Sequence, residues 1–175
     1  MNYRDYLSCA ERYLLRAEHK DEQAADVTWL LIPATILAWA AIEAFVNNML
    51  DDFSSLPPNM FELHERAFLL EKRLVFVDRG DKIGQFDLRS QEYRRVADKI
   101  FFLIAKFGIP ADQNIKGDNL WNDFQKFKDA RDGLVHPRRG RGVSLDIAIT
   151  RGFIGTAKRI IQLVSQHVWG REVKF

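Results

Sequence analysis

The chain has 175 residues, of which 47% are hydrophobic and 29% charged, with a formal net charge of +2 and a single cysteine, Cys9. That length suits one domain with a sizeable core, and the composition excludes a chain too polar to fold. The small net charge makes no general case for nucleic-acid binding, and a lone cysteine excludes an internal disulfide, in keeping with a reducing, cytoplasmic setting.

Helix-period patterns recur along the chain and strand signals are weak. A first helix is expected over residues 3–23, with Tyr6, Cys9, Ala10, Tyr13, Leu14 and Ala17 on one side and Cys9 acting as a small buried hydrophobe. Arg4, Asp5, Glu11 and Arg12 do not read as a signal peptide. A second helix is expected over residues 26–53, with Asp26 as N-cap and Pro33 kinking or restarting it. Its apolar run, 27–42, falls short of the ~18–20 residues of a membrane span and leads into Glu43, Asn47 and Asn48, so it reads as a fully buried helix in the middle of a bundle.

Pro57-Pro58 breaks the chain over 54–59. A third helix is expected over 60–77, carrying Phe61, Leu63, Phe68, Leu69 and Leu74, then a loop over 78–88 with two glycines. A fourth follows over 90–107, capped by Gly108 and stopped by Pro110. The fifth begins at an Asp118 N-cap, a Gly- and Arg-rich turn occupies 138–143, and the last helix spans 144–169 despite Gly152 and Gly155. Short connections imply antiparallel neighbours. The expected fold is all-α: one domain over residues 1–175, an antiparallel bundle of about five to six helices.

The fifth helix ends on Arg131-Asp132-Gly133-Leu134-Val135-His136-Pro137. With Leu120 at zero and ~100° per residue, Phe124, Phe127, Leu134 and Val135 fall within a sector of roughly 100°, and Arg131 falls at about 20°, inside it. A guanidinium on an apolar stripe is expensive to bury unpaired. Three readings compete: a structural pair with a buried carboxylate, a side chain snorkelling to an edge, or the lining of a cleft or subunit interface that binds an anion. His136 lies ~140° from Arg131 on a perfect helix, but Pro137 disfavours the α conformation before it and Gly133 loosens the last turn. A histidine here also suits the C-terminal end of the helix dipole.

Arg131 and His136, spaced R-x-x-x-x-H with the polar Asp132 after the arginine, resemble the signature of the HEPN superfamily. There the motif lies on a late helix of an α-helical bundle, before a turn and a final helix. A second, weaker match is Ala40-Ala41-Ile42-Glu43-Ala44-Phe45-Val46-Asn47, which looks like the early-helix segment of several HEPN groups. The resemblance implies a metal-independent endoribonuclease whose homodimer sets two arginine–histidine pairs across a cleft. Many such proteins act as toxins or antiviral defence effectors, with an antitoxin or defence-system partner protein. Other members are non-catalytic modules that bind RNA, a nucleotide or a protein.

The residues suit that chemistry independently. RNA supplies its own nucleophile, the 2′-hydroxyl. An imidazole can take its proton or protonate the leaving oxygen, and an arginine fork can hold the non-bridging oxygens, giving a 2′,3′-cyclic phosphate and a 5′-hydroxyl. No cofactor is expected, and His19, His64, His136 and His167 lack metal-ligand spacing. Gly140-Arg141-Gly142 is too short for a phosphate loop.

Lys126, Lys128, Arg131, Arg138, Arg139 and Arg141 stand against Asp129 and Asp132, a local charge of +4 over 126–141. Lys128 and the three turn arginines form a candidate RNA-binding patch, or a solvated turn. Glu43, at the end of an apolar run, needs a partner, either a structural pair with Arg131 or a positioning role in the site. Asn47, one turn on, can join the same cluster or serve ordinary packing. Asp132 either orients His136 or is solvated. Trp29, Trp39 and Trp121 read as core residues rather than base-stacking platforms.

Overall fold

The computed structural model describes residues 2–19, 27–108, 119–137 and 142–175. Among these are six α-helices, a short 3-10 turn at Pro58–Met60 and one antiparallel hairpin. The helices are α1 (Tyr3–Glu18), α2 (Thr28–Ser54), α3 (Leu63–Leu69), α4 (Val96–Phe107), α5 (Asn119–Val135) and α6 (Ile147–Trp169), and the strands are β1 (Lys72–Phe76) and β2 (Phe86–Gln91). The described residues are mostly helical, in keeping with the expected helical class, and the small two-stranded hairpin is an addition the sequence reading did not include.

The chain divides into two compact units, Met1–Phe45 with Leu103–Phe175, and Val46–Phe102. In the first, α5 and α1 both pack on α6. Its core is built from helix faces with apolar residues three and four apart, including Leu7, Ala10 and Leu14 of α1 and Ile154, Ala157, Ile161 and Val164 of α6. Asn2 and Asp5 form a reciprocal capping box on α1. Asp146 caps α6, accepting from the Ile149 N–H at 2.6 Å, and Gly170 ends that helix at φ 61°.

In the second unit the chain leaves α3 at Leu70, and Glu71 takes a left-handed φ of 48°. β1 and β2 then pair with Leu74 opposite Leu88 and Phe76 opposite Phe86. Gly80 and Gly84, at φ 86° and 81°, shape the connection. The expected helix over 60–77 is therefore only a short α3 followed by β1, and β2 replaces the start of the expected fourth helix. Leu74, Val75, Phe76 and Val77 form an apolar run rich in β-formers; its helical spacing from Phe68 is fortuitous, and pairing with 86–91 outweighs it.

α2 runs through Pro33 as one helix. The proline lies in the second turn, where it removes a single ladder hydrogen bond. α2 is long and apolar enough by length and composition to cross a membrane, and 56% of its most apolar window is buried within the chain. It is not buried all round: Ile32, Ile36, Leu37 and Ala40 are half-buried, and Trp29 is exposed rather than core. Trp39 and Trp121 are buried. Cys9 is half-buried. The expected caps Asp26 and Asp118 and the tail of the first helix, 20–23, lie outside the described residues.

Candidate anion-binding site at the end of α5

α5 places Leu120, Trp121, Phe124 and Phe127 in the core of the first unit. Arg131 continues that stripe one turn beyond Phe127. Leu134 is half-buried and Val135 exposed, so the apolar face gives out at the arginine. The Arg131 side chain is 25% exposed. Its guanidinium lies 5.6 Å from the centroid of the Trp39 ring, a cation–π arrangement that covers its apolar plane without competing for its N–H groups.

Trp39 and Glu43 sit one turn apart on α2. The indole Nε1 donates to Glu43 Oε1 at 2.7 Å, and Arg131 Nη2 donates to the same oxygen at 3.3 Å. Trp39 is itself fixed by the aromatic core, stacked on Phe124 at 5.2 Å and edge-on to Phe127 at 5.4 Å. Arg131 Nη1 donates to Asp132 Oδ1 at 3.0 Å. The other Asp132 oxygen accepts from Lys128 Nζ at 2.8 Å, and Lys128 also lies 3.7 Å from Asp129. Partial burial works to raise the Asp132 carboxyl, but hydrogen bonds from Lys128 and Arg131, with their charges, outweigh it and hold it below the usual aspartate range.

His136 is exposed at the end of α5, its backbone N–H donating to the Asp132 carbonyl at 2.9 Å. It lines a depression of about 650 Å³ together with Asp129, Arg131, Asp132, Gly133, Gly142 and Val143. Gly133 permits a close approach there: a Cβ would lie 2.5 Å from Val143 Cγ2.

Arg131, His136 and Asp132 thus share one depression; Glu43 and Lys128 bond the cluster that forms its wall. Asn47 is elsewhere: its Oδ1 accepts from Lys99 Nζ at 2.9 Å in the second unit. Arg138, Arg139 and Arg141 lie outside the described residues. Two parts escaped the sequence reading. Trp39 anchors Glu43, and Lys128 shares Asp132 with the arginine. Both pairs have i,i+4 spacing on a helix, a signal available in the sequence. Compared with protein-family profiles, curated proteins and solved structures, the chain gives no significant match.

Proposed function

We propose that this chain is a cytoplasmic, metal-independent endoribonuclease of HEPN type, acting as a homodimer in a toxin or antiviral defence setting. The observation that carries the reading is that Arg131, on the stripe where a charge is costly, opens into the same depression as His136. At about 650 Å³ the depression has the volume for a phosphodiester. Arg131 would hold its non-bridging oxygens and offset the charge added in the transition state. His136 would take the 2′-hydroxyl proton or protonate the 5′-leaving oxygen. A second copy would complete the cleft, and Arg138, Arg139, Arg141 and Lys128 would engage flanking phosphates.

The test is cleavage of RNA by purified protein in chelator. Arg131→Ala and His136→Ala are each expected to lower the rate at least about 100-fold. Unchanged cleavage in either variant defeats the assignment. Growth arrest on expression that His136→Ala relieves would support the toxin role, with an antitoxin or defence partner then to be sought; a benign wild type counts against it.

One observation favours a second reading, a non-catalytic HEPN-like module that binds RNA, a nucleotide or a protein partner. Arg131 already carries two carboxylates, Glu43 and Asp132, as a structural arginine does. Binding of RNA without cleavage, undiminished by His136→Ala, would select it.

A further inference from the structure

The two carboxylates on Arg131 are not equivalent. Glu43 Oε1 is held from two sides, by the Trp39 indole at 2.7 Å and by Arg131 Nη2 at 3.3 Å. Trp39 is buried and wedged among Phe124 and Phe127, so its N–H cannot follow Glu43 elsewhere. If Glu43 left the arginine, Arg131 would lose its hydrogen bond to α2 and keep only the Trp39 ring against its plane. Asp132 has the opposite arrangement. It bridges, with Oδ1 on Arg131 at 3.0 Å and Oδ2 on Lys128 at 2.8 Å. It borders the depression, and its side chain is 39% exposed. Releasing Arg131 leaves it still paired, with no carboxylate orphaned. The charges point the same way: Asp132 is the carboxylate at the depression that occupies an Arg131 N–H, so it is the one an entering anion has to compete with there.

We propose that Asp132 is an internal stand-in for phosphate: an entering phosphoryl oxygen takes its place on Arg131 Nη1, and Lys128 retains the displaced carboxylate. Glu43, pinned by Trp39, is the fixed anchor that keeps the guanidinium aimed at the depression during the exchange. Asp132 is thus a gate on anion entry, and Lys128 a positioning residue for the gate. The proposal rests on the reading that this depression receives a phosphate group; it does not require that the phosphate be cleaved.

The test is inorganic phosphate binding by calorimetry at fixed ionic strength. Asp132→Asn keeps the shape, removes the charge and is expected to tighten phosphate binding about 5- to 20-fold, since one competing charge-assisted hydrogen bond is removed. Asp129→Asn removes a carboxylate from the same depression that makes no bond to Arg131. It controls for the general field and is expected to change affinity less than about 3-fold. Lys128→Met is expected to weaken binding more in the wild type than in Asp132→Asn, because only the wild type needs a receiver for the carboxylate. Asp132→Ser, with thermal melting of each variant, covers the case in which Asp132→Asn folds poorly. Asp132→Asn binding no tighter than Asp129→Asn overturns the exchange, as does the absence of phosphate binding in all variants. Failure of the nuclease reading is separate: phosphate exchange would persist while RNA stays uncut.

Discussion

Arg131 owes its position to three different contacts, and each can be removed alone. The Trp39 ring covers its plane, Glu43 takes one nitrogen and Asp132 another. Trp39→Phe keeps an aromatic ring but deletes the indole N–H that holds Glu43. It is expected to cost about 1–2 kcal/mol in urea denaturation, from one lost charge-assisted hydrogen bond. It should also lower phosphate affinity, because the guanidinium loses its fixed anchor. Unchanged phosphate affinity in a folded Trp39→Phe protein would sink that anchoring role. The arginine itself was legible in the sequence, because an apolar stripe of period 3.6 leaves a charge conspicuous. Its partners were less so. Glu43 was a candidate by its place after an apolar run, but Trp39 looked like plain core; its i,i+4 spacing from Glu43 permits a contact, and the fold shows the indole N–H spent on that carboxylate. Asn47 misled for the opposite reason: it follows Glu43 by one turn, yet Lys99 claims it.

At the scale of elements, the hairpin is the part the sequence hid. Leu74, Phe76, Phe86 and Leu88 are a cross-strand set that no local window displays. Glu71, just before β1, ties the chain on either side of the hairpin to α4: its carboxylate meets buried Lys99 at 2.7 Å and accepts the Arg94 backbone N–H at 2.9 Å. Lys99 is only 7% exposed. Removing its partner leaves a buried charge, so Glu71→Gln is expected to destabilise the protein by about 2–3 kcal/mol. Partial burial works to raise the Glu71 carboxyl, but the Arg94 N–H and the Lys99 ammonium prevail and lower it below the usual glutamate value of 4.5. A carboxyl lowered on folding contributes stability that is fully present above its unfolded pKa and lost as pH falls through the folded one. Stability measured by denaturant titration should therefore drop as pH falls from about 5 towards 3, and Glu71→Gln should flatten part of that slope. An identical slope in the variant would contradict this account of the pair.

For the whole molecule, the helical class and the order of the long helices were readable from periodicity and breakers, because α1, α2, α5 and α6 each run for several turns. The division into two compact units was not, since the boundaries at Phe45 and Phe102 fall inside continuous helices and no linker composition marks them. The proposed homodimer makes a concentration prediction. If two copies complete the cleft, specific activity falls on dilution as the dimer dissociates. A monomer by sedimentation with concentration-independent specific activity would contradict the dimeric part and leave the site to one chain.

The central claim is that Arg131 and His136 cleave RNA through its own 2′-hydroxyl. The most direct measurement is mass spectrometry of the 3′ ends produced from a defined single-stranded RNA by wild-type protein and by His136→Ala, both in chelator. The account predicts 2′,3′-cyclic phosphate ends with the wild type and none above background with the variant. Intact RNA with the wild type, 3′-hydroxyl ends, or cyclic ends that persist in His136→Ala would contradict it.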